Sequence, residues 1–288
     1  MDKNLYYAIM VFAFVLGSCI ASFLNVVIWR VPRGESIVRP PSHCPKCNAP
    51  IRWYQNIPIV SWLALRGKCA NCREPISPRY ILIELLGGIL FAALFWRLQG
   101  TFARFGIGPG VLTITCAWIW ASLMIVGTFV DFDHKLLPDF VTIGGMVLGV
   151  FYNAMATWMG FCVYPTHTLT CVSEYPIVGS LLGLAVGFGV LWIVRVFGSW
   201  VFRREAMGMG DVFLLGAIGA LCGPVAVLYT LILSSILGSL AGVGIIVFSK
   251  KRRGHFLEIP FGPYLIIGCM VWIFRGPEIV AWYVRLFR

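Results

Sequence analysis

Only twelve acidic residues serve a chain of 288, so the places they occupy are informative. Asp131-Phe-Asp133-His134-Lys-Leu-Leu-Pro138-Asp139 directly follows one apolar run, and Met207-Gly208-Met209-Gly210-Asp211 directly precedes another. Carboxylates at such borders are costly unless they pair or react. If one Asp from each cluster approaches the other, repulsion and partial desolvation favour a state sharing one proton. One carboxylate can then deprotonate water while the other donates a hydrogen bond or proton to a scissile carbonyl. Gly208 and Gly210 would let backbone or substrate come close to Asp211. Plainer roles compete. Asp139 precedes an apolar run and reads as a helix N-cap, Asp133 as a solvated loop charge, and Asp211 as another cap. Asp131-x-Asp133 also reads as a metal-binding pair of the glycosyltransferase kind.

A second cluster is made of thiols. Cys44-Pro-Lys-Cys47 and Cys69-Ala-Asn-Cys72 are separated by 21 residues, and Pro-Ile follows each pair after two residues. Four thiolates offered by two short turns complete a closed tetrahedral zinc site, and the spacing is close to that of zinc ribbons. A segment of about 50 residues hardly builds a core of its own, and a metal would supply the missing stability. Iron in a rubredoxin-like site is the main rival, and two disulfides are disfavoured in a reducing compartment. Cys19, Cys116, Cys222 and Cys269 fall in or at the ends of apolar runs and read as small core hydrophobes. Cys162 and Cys171 bracket an external loop and read as a disulfide.

The elements that must position these groups follow from composition. The chain is 59% hydrophobic and 12% charged, with a mean hydropathy of +0.85, against roughly 45–50% and 25% in soluble domains. Soluble, disordered, collagen-like and secreted disulfide-scaffold classes are excluded. The expectation is an all-α polytopic membrane protein with about eight transmembrane helices and a small cytoplasmic zinc-ribbon-like loop domain. Spans are expected near 5–29, 80–98, 110–130, 140–160, 176–198 and 262–284. Two more are expected in the uncharged stretch 212–249, broken at Gly223-Pro224. The division is 1–30 as first transmembrane helix, 31–80 as cytoplasmic zinc-binding domain of four cysteines and 81–288 as the transmembrane catalytic domain. Of the 23 Lys and Arg, 17 fall on the side holding residues 30–80, which the positive-inside rule places in the cytoplasm. The net charge of +11 is therefore read as facing lipid headgroups, not nucleic acid. Glu84 reads as an interfacial partner of Arg79, and Gly144-Gly145 and Gly183-x3-Gly187 as close helix packing.

The order of parts closely resembles the type IV prepilin peptidases, which are bifunctional leader peptidases and N-methyltransferases. It runs from Ser22-Phe-Leu-Asn25 to Arg30-Val-Pro32, through both Cys pairs with Asn56-Ile-Pro58 and Arg66-Gly67-Lys68 between them. It continues through Arg79-Tyr80, Glu84, Asp131-x-Asp133-x4-Pro138-Asp139 and Gly208-x-Gly210-Asp211 to Ile259-Pro260-Phe261-Gly262-Pro263-Tyr264. The resemblance implies an aspartic peptidase of the Gly-x-Gly-Asp intramembrane kind, with Asp131 and Asp211 as its catalytic pair. It implies prepilin or type II secretion pseudopilin substrates, cut after Gly at the cytoplasmic face of the bacterial inner membrane. The new terminus, usually Phe, would then be methylated by S-adenosylmethionine, with Gly67 and Lys68 linked to that step. Ala21 and Gln55 depart from the usual Gly and Glu of relatives. A non-catalytic assembly factor that docks a partner on its zinc loop is the main competitor, and it would make Asp131 and Asp211 dispensable. A transporter is disfavoured by the few ionisable groups in the middles of the spans.

Overall fold

The computed structural model describes residues 2–162, 175–203, 205, 207–248 and 260–286. Among these the chain is helical with no strand, as expected from composition. The helices are α1 (Lys3–Arg30), α2 (Val60–Ala64), α3 (Pro78–Leu98), α4 (Gly100–Phe105), α5 (Ile107–His134), α6 (Asp139–Trp158), α7 (Pro176–Phe202), α8 (Met209–Cys222), α9 (Pro224–Phe248) and α10 (Gly262–Arg285).

Local chemistry sets the boundaries. Asp2 caps α1 by accepting from Asn4 N–H at 3.4 Å. Ser77 caps α3 through Arg79 N–H at 3.3 Å, with Pro78 in the first turn, where its missing N–H costs nothing. Lys135 ends α5 in the left-handed conformation (φ 54°). The break at Gly223-Pro224 is where the sequence puts it: Gly223 adopts φ 83° and α9 restarts at Pro224.

Among the described residues six helices are long and apolar enough to cross a membrane, and the apolar helix Met209–Cys222 is shorter. At 14 residues, α8 spans only about 21 Å of a ~30 Å hydrocarbon core. It ends inside the bundle, where its last carbonyls need donors. Asn153 Nδ2 reaches Ala220 O at 3.0 Å and Leu221 O at 3.3 Å, and Ser180 Oγ reaches Ala220 O at 2.6 Å.

Small residues let the helices approach. On the α1–α3 seam a Cβ on Gly17 would lie 2.5 Å from Gly87 O. On the α7–α8 seam a Cβ on Gly183 would overlap the Gly219 carbonyl, and one on Gly187 would overlap that of Leu215. Gly145 packs against Trp120 and Ala217 as the sequence predicts, but Gly144 faces open space. Cys116, Cys222 and Cys269 are buried thiols, whereas Cys19 is exposed. Cys162 is disulfide-bonded, and Cys171 lies outside the described residues.

Candidate active site and cysteine centre

Asp131 stands in the last turn of α5, buried to 5% exposure. Asp133 is two residues on, so it points about 200° away around the helix. There it meets Arg79 of α3, whose two terminal nitrogens reach its oxygens at 2.9 and 2.6 Å. The two carboxylates thus face opposite ways, which rules out a metal pair made of Asp131 and Asp133. Asp133 is ion-paired to Arg79, not a free loop charge. The expected Arg79–Glu84 pairing is also corrected: Glu84 instead accepts Ile59 N–H at 2.8 Å. A buried acid on α3 takes the nearest unsatisfied backbone donor of the loop above it, while Arg79 lies one turn nearer the α5 end.

Asp211 is the third residue of α8, whose N-cap is Gly208. It lies within electrostatic reach of Asp131. The opening turn of one helix and the closing turn of another therefore bring two carboxylates from distant sequence regions together. Asp139 makes no cap: Pro138 occupies the N-cap position and Asp139 is the first helical residue. Its exposed carboxylate simply favours the positive end of the α6 dipole.

The walls around Asp131 are built by close approach. Gly262, the first residue of α10, directs its N–H at the Asp131 carboxylate. Asp131 Oδ2 is buried with no hydrogen-bond partner among the described residues. Leu137 fills the space between helices, since a Cβ on Gly210 would lie 2.8 Å from Leu137 Cβ and one on Gly262 3.2 Å from Leu137 Cδ1. Gly208 is exposed, with nothing within 4 Å of where its Cβ would be. One glycine of the Gly-x-Gly-Asp motif thus admits Leu137, and the other leaves an approach to Asp211 open.

The four thiols also converge. The Sγ atoms of Cys44, Cys47, Cys69 and Cys72 all lie within 4.8 Å of one another, and Cys44 Sγ to Cys72 Sγ is 3.9 Å. Four Zn–S bonds of about 2.3 Å in a tetrahedron require sulfurs roughly 3.8 Å apart, so the donor set fits a single metal ion. The sequence repeat is a structural repeat. Cys44 N–H bonds Ala49 O at 3.0 Å and Asn48 N–H returns to Cys44 O at 2.9 Å; Cys69 N–H bonds Glu74 O at 2.8 Å and Arg73 N–H returns to Cys69 O at 3.1 Å. The backbone N–H of Ala49 and then the side chain of Asn71 pull the Cys47 thiol down to about 6, whereas burial and the neighbouring thiols push Cys72 up; a bound metal would hold all four as thiolates.

Residues 15–98 match the Bacterial Peptidase A24 N-terminal domain, and residues 118–243 match the Type IV leader peptidase family. A prepilin leader peptidase/N-methyltransferase of Myxococcus xanthus (strain DK1622) is 38% identical over 277 residues, covering 94% of this chain and 74% of the relative. The chain belongs to the prepilin leader peptidase/N-methyltransferase family. Other members are the Aeromonas hydrophila protein, 33% identical over 98% of this chain and 95% of its own, and the Neisseria gonorrhoeae protein, 34% identical over 88% and 86%. No solved structure matches the chain.

Gly67 and Lys68, which the family resemblance links to methyl transfer, lead directly into Cys69. Gly67 is buried at φ 65°, and a Cβ there would sit 2.7 Å from Trp62 Cζ2; Lys68 is exposed. The glycine has a backbone reason to be where it is, independent of methyl transfer. Leu137 and Gly262 both fall within segments that resemble the family, but residue type alone gives neither of them a role at the site. Gly262→Ala would push a methyl group to within 2.7 Å of Asp131 Oδ2. Leader cleavage is expected to fall by about 100-fold, the scale of a misplacement near 1 Å, with membrane insertion unchanged by cysteine-accessibility mapping.

Proposed function

We propose that the chain cleaves the basic leader of prepilins or pseudopilins at the cytoplasmic face of the bacterial inner membrane, using Asp131 and Asp211. It then N-methylates the new terminus. One observation carries the peptidase assignment: Asp131 is buried, its Oδ2 has no partner among the described residues, and it lies within electrostatic reach of Asp211 on another helix. An orphaned buried acceptor is expensive, and a water or scissile peptide is the missing partner. One carboxylate takes a proton from water as its oxygen bonds the carbonyl carbon. The other carboxyl holds the carbonyl oxygen, and on collapse of the tetrahedral intermediate the amide C–N bond breaks and the amine receives a proton.

Residues 1–30 serve as the first membrane helix, 31–80 as the four-cysteine domain associated with methyl transfer, and 81–288 as the peptidase domain. Cys44, Cys47, Cys69 and Cys72 would hold Zn2+ in a structural role. S-adenosylmethionine, when bound, would supply an electrophilic methyl group. The chain must present the freed α-amine in its neutral form and accept the proton that the nitrogen gives up. The family resemblance supports a role for Gly67 and Lys68 in that step. The 17 Lys and Arg on the loop side support the cytoplasmic orientation. Weighing the products of purified protein and a prepilin tests the reading: leader-free pilin is expected without the methyl donor, and pilin heavier by one methyl group with it.

Arg79 and Asp133 act differently from the dyad. Their side chains are 40% and 34% exposed, which limits such a pair to about 1 kcal/mol. Arg79 also reaches Phe129 O at 3.4 Å, so it grips two successive turns of α5 on the face opposite Asp131. Asp133→Asn is expected to lower the kcat of cleavage by roughly fivefold or less with little change in KM. Arg79→Gln combined with Asp133→Asn should cost no more than the worse single change.

A further inference from the structure

The cysteine loop turns apolar side chains outward where a solvated loop would carry polar ones. Val60 and Leu63 lie three residues apart on one face of α2, and each is 59% exposed. The adjoining turn Trp53–Asn56 packs against α2 and leaves Trp53 82% exposed. The inward side of this segment is already satisfied. Ser61 Oγ donates to Ile57 O at 2.7 Å, and Trp62 Nε1 donates to Ile76 O at 3.4 Å. The outward set is therefore surplus to the loop's own packing.

One hydrogen bond fixes the height of this segment. Ile59 N–H reaches Glu84 Oε2 at 2.8 Å, and Glu84 lies six residues into α3, about 9 Å along its axis. On either side of Glu84 in sequence, Leu82 and Ile89 are 60% and 51% exposed on a helix that crosses the bilayer. Leu82 and Ile89 point away from the Glu84 side of α3, so what they fix is depth: the α2 segment is held level with α3 side chains that meet lipid. The charge is complementary: residues 31–77 carry seven Lys and Arg against two Glu, and Arg52 and Arg66 bracket the apolar segment. Apolar residues on one side, with basic residues at the flanks, are what an interfacial segment on an anionic leaflet requires.

We propose that residues 53–66 lie in the headgroup region of the leaflet that α3 enters. Trp53, Val60 and Leu63 reach the headgroup–acyl boundary there, and Arg52 and Arg66 meet lipid phosphates. The partner is the anionic lipid surface, not a segment of prepilin. The arrangement presses the four-cysteine centre against the membrane and does not depend on the catalytic assignments above.

The test places the photo-crosslinker p-benzoylphenylalanine at position 60 or 63, one at a time, in protein held in nanodiscs of phosphatidylethanolamine and phosphatidylglycerol. Mass spectrometry is expected to find lipid adducts at both positions without prepilin, undiminished when prepilin is added. Absence of lipid adducts, or their replacement by prepilin adducts, overturns the proposal. A second measurement follows trypsin cleavage after Arg52 and Arg66 in the same nanodiscs. Wild-type protein should be cut about tenfold more slowly than Val60→Asp/Leu63→Asp, because only the bedded segment must first leave the membrane. Equal rates in protein that retains its metal also overturn it.

Discussion

Asp131→Asn and Asp211→Asn are each expected to abolish leader cleavage, lowering its rate by about 1,000-fold or more, as for other catalytic groups that act as a unit. Asn keeps the size and polarity of Asp but can neither accept the water's proton nor share one with its partner. On the proposed assignment the two carboxyls work as one device, so the double variant should be no worse than the poorer single. Insertion should persist, since losing a charge from a buried site removes a desolvation cost. Asp139→Asn gives the contrast. Its carboxylate is exposed in the first turn of α6, and losing it forfeits about 0.3–1 kcal/mol of helix-dipole interaction. The products are weighed after incubation with a prepilin, and brisk cleavage by either dyad variant would refute the assignment. Full loss with Asp133→Asn alongside active Asp131→Asn would show that the other carboxylate of the pair is the catalyst.

Protein purified without chelators is expected to carry one zinc per chain, and stripping it should unfold the cysteine loop. Structural zinc contributes about 10–16 kcal/mol in small zinc-finger peptides, far more than the two short hairpins of this loop could supply. Cys44→Ser or Cys72→Ser should therefore lose the metal and expose the loop to protease. Methylation is expected to vanish with the loop, while cleavage declines less, because the dyad is carried by α5 and α8. Lys68→Ala separates the steps differently: it should retain the metal and near-normal cleavage but release unmethylated product. Elemental analysis and product mass together check all of this. No metal in the native protein would rule out the centre, and visible absorption from bound iron would replace zinc with a rubredoxin-like site.

The parts legible in the sequence are those whose cause is local. Each cysteine turn closes on its own backbone, so the repeat of Cys-x2-Cys-x2-Pro-Ile was visible as a repeat of structure. Gly223-Pro224 ends one helix and starts the next whatever surrounds it. Uncharged runs of 20 residues or more announce membrane helices because hydrocarbon admits little else. That Asp131 and Asp133 diverge also follows from helical spacing alone, once their segment is known to be helical.

What only the tertiary structure decided concerns partners on different helices. No local signal pairs Arg79 with Asp133 in place of Glu84, or gives Glu84 to the Ile59 N–H. Nothing in Gly262 or Leu137 taken singly marks them as the walls of a carboxylate site. The uncharged stretch 212–249 was long enough for two crossings, yet α8 stops short because Asn153 and Ser180 can satisfy its last carbonyls within the bundle. Hydropathy records that a residue must leave water. Which residue it then meets depends on how each helix is rotated and how deep it sits. Those quantities are set by the sum of many contacts, such as Gly183 against Gly219 and Gly17 against Gly87, each far apart in the chain.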